Sequence, residues 1–100
     1  MKLGRVIGTA VATVKSSGLE SYKLLLVRDF QEDPNATPDE SAEYYVAIDT
    51  VGAGIGEVVL VAFGSAARLS STPLEAPVDA AIVAILDTVR VGGSYVFERR

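Results

Sequence analysis

At 100 residues the chain has room for one domain, and a chain of this size buries roughly two-thirds of its unfolded surface, enough for a single modest core. The hydrophobic share is 49% with few aromatics and no Trp, so the core is aliphatic, and the apolar surplus points to surface covered by partner subunits. A net charge of −4 with no basic cluster beyond Arg99 and Arg100 argues against a nucleic-acid groove, and the absence of His and Cys removes the commonest general base and metal ligand as well as any disulfide.

Met1 and Lys2 lead directly into a strand-like run, no apolar stretch reaches membrane-spanning length, and the expected location is the cytoplasm. The first run, 3–14 (LGRVIGTAVATV), is rich in β-branched residues, and Gly8 within it predicts a bend or bulge. Its small alternate set, Val6, Gly8, Ala10, Ala12 and Val14, suits a tight barrel interior; Ile7, Thr9, Val11 and Thr13 would then face solvent or a neighbour. A polar turn follows at 15–21. The run 22–30 (YKLLLVRDF) predicts a second strand covered on both faces. The segment 31–43 holds Pro34, Pro38 and five acidic residues, and predicts an exposed acidic loop. Runs 44–49 (YYVAID) and 57–63 (EVVLVAF) predict the third and fourth strands, separated by a loop containing Gly52, Gly54 and Gly56. The stretch 69–76 is a polar connection ended by Pro77. Residues 78–91 (VDAAIVAILDTVRV) are ambiguous: Val78, Ile82, Ile85, Leu86 and Val89 fit a helical face, and 82–91 also fits a buried β-branched strand. Gly92 and Gly93 predict a turn, and 94–98 (SYVFE) a last short strand with Tyr95 and Phe97 on one face. Five or six short strands with glycine-rich turns argue for an all-β, closed or partly closed barrel, which removes aggregation-prone edges.

The glycines of VGAGIGE suggest a phosphate loop at first reading. A dinucleotide fingerprint needs a strand before it and a helix after it, whereas here a strand follows directly and the third glycine comes one residue early. The small residues fit a turn and close backbone contact instead. Carboxylates outside the acidic loop (Asp29, Asp49, Glu57, Asp79, Asp87) form no pair that spacing would bring together, and a hydrogen bond to a turn amide or to a cation such as Arg68 is the expected use of those next to apolar runs. Ser65 in GSAAR has neither a His nor a nucleophile elbow to activate it. No catalytic set, metal site or cofactor site is expected. The residues by themselves describe a non-enzymatic β-barrel that self-associates.

Five blocks in order, LGRVIGTAVAT (3–13), KLLLV (23–27), DTVGAGIGEVVLV (49–61), GSAAR (64–68) and PVDAAIVAILDTV (77–89), cover most of the chain. In them the chain resembles the bacterial microcompartment vertex proteins, the family of the carboxysome and ethanolamine-utilisation vertex subunits. The resemblance implies a five-to-six-stranded barrel of the oligonucleotide/oligosaccharide-binding type, assembled as a cyclic homopentamer that caps the vertices of a polyhedral shell tiled by hexameric and trimeric shell proteins. It implies one vertex domain over 1–100, with a core at 1–91 and a C-terminal extension at 92–100, in the bacterial cytoplasm. It favours strand over helix for 82–89, with a short turn around 77–81. Two departures stand out. The 31–43 segment is longer and more acidic than the usual connection, and Val58 stands where carboxysome members carry Trp, which tilts the reading toward a catabolic compartment. A ring contact joins two different patches, and small residues permit close approach. Gly52, Gly54, Gly56, Glu57, Gly64, Ser65, Ala66, Ala67 and Arg68 are therefore expected at the subunit interface or the axial rim, with Arg68 meeting a carboxylate. The competing reading is a module of the same barrel type binding single-stranded nucleic acid or oligosaccharide, which would require a basic groove and free stacking aromatics.

Overall fold

The computed structural model describes residues 1–12, 22–31, 43–64 and 79–99. They form seven strands: β1 (Lys2–Ala10), β2 (Lys23–Asp29), β3 (Tyr45–Asp49), β4 (Val58–Phe63), β5 (Ala80–Ile85), β6 (Thr88–Val91) and β7 (Ser94–Glu98). The first five close into a barrel in the order β1-β2-β3-β5-β4, with β4 pairing back onto β1, and β6 and β7 form a separate two-stranded sheet. Every pairing in the barrel is antiparallel except β3 with β5. β1, the longest strand, carries the closure: it pairs with β2 along its length and, through Lys2, Leu3, Gly4 and Arg5, with β4.

A five-stranded barrel is narrow, and its strands must coil to close. Bulges supply part of this curvature. In β1 the register jumps from Val6 opposite Val27 to Gly8 opposite Leu26, leaving Ile7 unpaired next to the glycine that predicted a bend. A second jump in β5 leaves Val83 without a partner on β4. The β1 bulge also overturns the expected interior set. Val6 faces the core, but Gly8 and Ala10 lie opposite Leu26 and Leu24, on the outer face. A Cβ on Gly8 would meet Leu26 Cδ1 at 3.5 Å, in keeping with that side. The extra residue reverses the alternation, so period-two counting across it assigns the wrong face.

The interior is filled by Val6, Leu25, Val27, Ala47, Ala53, Val59, Val61, Ala80 and Ile82, with Tyr45, Phe63 and Ile85 packed against them. The outward rows of β2 to β5 carry a second cluster of Ile48, Ala62 and Ala81, joined by Tyr22, Leu24 and Val83. The ambiguous 78–91 stretch is strand up to Ile85. It then turns at Leu86 and Asp87, and β6 leaves the barrel to pair with β7. The β6–β7 hairpin turns on Gly92 and Gly93 (φ 59° and 84°), two consecutive positive-φ residues that match the twist of the flanking strands. The hairpin straddles the expected boundary at residue 91. A bulge at Val96 falls between Tyr95 and Phe97, so the face expected to hold both is interrupted. Phe97 packs edge-on against Phe30 at 6.2 Å, and the Arg5 guanidinium lies 5.6 Å from the Phe97 ring and 5.9 Å from the Phe30 ring. These contacts hold the hairpin to the outside of the β1–β2 seam.

Gly4 is the tightest point of that seam. A Cβ there would overlap Val27 Cγ1 and come within 3.2 Å of the Arg28 carbonyl and 3.3 Å of Tyr45 Oη. Tyr45 itself leans on Phe63, ring centres 5.4 Å apart, and its buried hydroxyl makes no hydrogen bond to the protein. Burial, and secondarily the Asp29 charge, push that hydroxyl up from 10.0 to about 12. Gly4→Ala is therefore expected to destabilise the fold by about 1–3 kcal/mol through overpacking, and Gly8→Ala, which meets only an ordinary contact, by less; thermal or urea unfolding of the two variants checks this. In an alkaline titration followed by phenolate absorbance, one of the four tyrosines should ionise last, near pH 12. Tyr45→Phe should remove that step. Because the folded-state value is raised, the neutral phenol's stabilisation is complete below pH 10 and is lost as the pH climbs through 12.

Candidate functional site

The loop between β3 and β4 is two consecutive turns, each tied down from inside. Asp49, buried at the end of β3, accepts hydrogen bonds through Oδ1 from the amides of Val51 (3.1 Å) and Gly52 (3.0 Å). Its Oδ2 lies 3.7 Å from Lys23 Nζ, directly across the strand pair, and Lys23 Nζ donates to the Ala53 carbonyl at 3.2 Å. Thr50 Oγ1 donates to the Ile82 carbonyl at 2.7 Å. These bonds draw Ala53 into the barrel end, where it is 1% exposed. The expected role for a carboxylate beside an apolar run, accepting turn amides, is what Asp49 performs.

The second turn runs from Gly54 to Glu57. Glu57 N donates to the Gly54 carbonyl (3.2 Å), and Gly54 N donates to Glu57 Oε1 (2.8 Å). Gly56, at φ 91°, supplies the left-handed residue that the turn requires. Gly56 N donates to the Val6 carbonyl (2.8 Å), Val6 N donates to the Glu57 carbonyl (3.0 Å), and Arg5 Nη1 donates to the Gly56 carbonyl (2.8 Å), so the turn is stitched to β1. Glu57 Oε2 meets Arg99 Nη2 at 3.0 Å, and Arg99 in turn reaches Asp87 through its side chain (3.6 Å) and its amide (2.7 Å). Between this turn and the hairpin lies an open groove of about 430 Å³ lined by Ile55, Glu57, Val58, Leu86, Phe97 and Arg99, among others.

This geometry has a chemical consequence. A phosphate loop offers free amides to an anion. Here the amides of Val51, Gly52, Gly54, Gly56 and Glu57 all donate to protein oxygens, two of them to the Asp49 carboxylate and one to that of Glu57. Four of the carboxylates meet cations: Asp29 pairs with Lys2, Asp49 with Lys23, and Glu57 and Asp87 with Arg99. Among the described residues no three Asp or Glu side chains converge. Several aromatic rings are occupied too: Phe30 and Phe97 by each other and Arg5, Tyr45 by Phe63, Tyr95 by Arg90 at 5.1 Å, while Tyr44 stands exposed. What the turn presents outward is apolar: Val51 is 41% exposed and Ile55 68%.

Of the interface residues expected from sequence, Gly52, Gly54, Gly56 and Glu57 come together in this pair of turns. Gly64 closes the opposite end of β4, its amide bonded to the Asp79 carbonyl at 2.9 Å. Six strand residues separate the two, roughly 20 Å, so they form two surfaces rather than one. Ser65, Ala66, Ala67 and Arg68 lie outside the described residues, as do the expected ion pair of Arg68 and most of the acidic 31–43 segment. Sequence reading passed over Arg5, Lys23 and Arg99, which anchor the turns. Lys23 and Asp49 carry a faint signal as oppositely charged ends of adjacent strands; Arg99 carries none, since its partner Glu57 is distant in sequence.

The family described as "Ethanolamine utilisation protein EutN/carboxysome" matches residues 1–87. The chain is 43% identical to the carboxysome shell vertex protein CcmL of Synechococcus elongatus, over all of this chain and 97% of that one. It is 48% identical to the bacterial microcompartment shell vertex protein GrpN of Rhodospirillum rubrum, over 89% of this chain and 96% of that one. The solved structure of GrpN, a pentameric microcompartment shell protein, superposes with a TM-score of 0.74 at 46% identity, covering 91% of this chain and 99% of GrpN. With a family match over residues 1–87 and identities of 43% and 48% across such lengths, the chain belongs to the EutN/carboxysome family of proteins.

Proposed function

We propose that this chain is a structural subunit of a bacterial microcompartment shell, a cyclic homopentamer that caps the shell's vertices and performs no catalysis. The observation that carries the reading is the near full-length similarity to shell vertex proteins, one of them pentameric. The site geometry supports it: the turn donors and the paired carboxylates are spent on the fold, while small and apolar groups are presented to the outside. The vertex domain spans 1–100, with a core at 1–91 and a C-terminal extension at 92–100, a boundary that falls within the β6–β7 hairpin.

In the ring, Gly52, Gly54, Gly56 and Glu57 lie at the contact between subunits, and Gly64, Ser65, Ala66, Ala67 and Arg68 at the axial rim, two patches joined head to tail until the rotation closes. Hexameric and trimeric shell proteins surround it at the vertex, in the cytoplasm.

Native mass spectrometry should return about 52 kDa, five chains of 10.5 kDa; a mass of one chain would refute the ring. Excising residues 32–42 should leave the five-chain assembly intact, at a mass lowered only by the eleven residues lost from each chain. Co-expressed with hexameric and trimeric shell proteins, the chain should yield closed polyhedra, and its omission should leave shells open or elongated; full closure with occupied vertices in its absence would remove the capping role.

A further inference from the structure

The outer face of β2 and β3 has features that a single chain leaves uncompensated. Leu26 lies opposite Val46 there; Arg28 follows two residues on along β2, and Tyr44 immediately precedes β3. Val46 is 50% exposed and Tyr44 59%. Arg28 is half-buried, its Nε is wholly buried without a hydrogen bond, and among the described residues it forms no ion pair. Its cross-strand neighbour on β1 is another cation, Arg5. Like charges directly opposite each other in a sheet repel, and an unpaired half-buried guanidinium loses hydration without recompense. Arg5 is relieved by the Gly56 carbonyl and the rings of Phe30 and Phe97; Arg28 has no counterpart to these.

An Arg and a Tyr flanking exposed aliphatic side chains is the composition of a protein–protein contact centre. The occupant follows from charge. Acidic residues outnumber basic ones by 13 to 9. Among the described residues Glu43, Asp79 and Glu98 are exposed and form no ion pair. A second copy therefore brings the carboxylate that Arg28 lacks, and a head-to-tail ring contact is the kind that joins a basic, apolar face to a different, acidic one. A phosphate-bearing partner would meet one free guanidinium on an acidic chain. Resting on the ring reading above, we propose that the outer β2–β3 face, with Arg28 as its anchor and Leu26, Tyr44 and Val46 around it, is one half of the contact between successive subunits.

The test uses the full chain. Arg28→Glu and Val46→Glu are each expected to shift the native mass from the five-chain to the one-chain value while circular dichroism keeps its β-sheet signal, and Arg28→Lys to keep the ring. The chain has no cysteine, so Val46→Cys provides a gentler readout that does not depend on disruptive variants folding. Its thiol should react with a maleimide at least about tenfold more slowly in the ring than after mild dissociation. Full reactivity in an intact ring, or rings unchanged by both Glu variants, would overturn the assignment and leave the pentamer standing. A wild-type chain that is itself monomeric would instead defeat the ring reading. Protection that disappears on deleting residues 32–42 while the assembly stays five chains would show that the chain's own segment covers the face, which also overturns the proposal.

Discussion

Closure of the barrel along β1 is the constraint on which the other features depend. One strand has to bond to β2 over its length and to β4 over its first half, and five strands leave little room across the interior. The consequences are local and specific. At Gly4 the backbone of β1 comes so close to β2 that no side chain fits, and at Ile7 an extra residue lets the strand coil onward. The interior is filled by Val, Ala, Leu and Ile with Tyr45 and Phe63 at its margin, which accounts for a composition rich in aliphatics and without Trp.

The polar groups near the ends of the strands serve the same closure. Lys23 and Asp49 face each other across β2 and β3 and jointly hold the turn that draws Ala53 into the barrel end. Arg99 reaches from beyond β7 to Glu57 and Asp87, tying the hairpin to the second turn. Such partly exposed ion pairs contribute little individually. Their value is geometric, fixing turns whose outward surfaces carry Val51 and Ile55. A glycine-rich loop whose Val51, Gly52, Gly54, Gly56 and Glu57 amides are bonded to the protein resembles a phosphate cradle only in its spelling.

Much of this was legible in the residues. Short β-branched runs separated by glycine and proline marked the strands, paired glycines marked the hairpin turn, and five ordered blocks marked the family. The failures have a common physical origin in long-range geometry. Alternation assigned Gly8 and Ala10 to the interior because a one-residue bulge leaves no trace in composition, although Gly8 hinted at its place. The run 82–91 reads as continuous, yet β6 pairs with β7 and not with the barrel, because the strand turns at Leu86 and Asp87. Glu57 and Arg99 are 42 positions apart in the chain, so no local pattern could pair them. Gly4 stood inside a recognised block, but its reason, the methyl group of Val27, belongs to another strand.

The filled interior bears on permeability. Val6, Leu25, Val27, Val61 and Ile82 occupy the barrel with almost no exposure, and Ala53 stoppers one end above the Lys23–Asp49 pair. A barrel packed in this way is no conduit. In a ring of such subunits, any small molecule crossing the shell at a vertex would have to travel between subunits, so the selectivity of that passage would be set by the side chains at their shared boundary and would be indifferent to changes in the core.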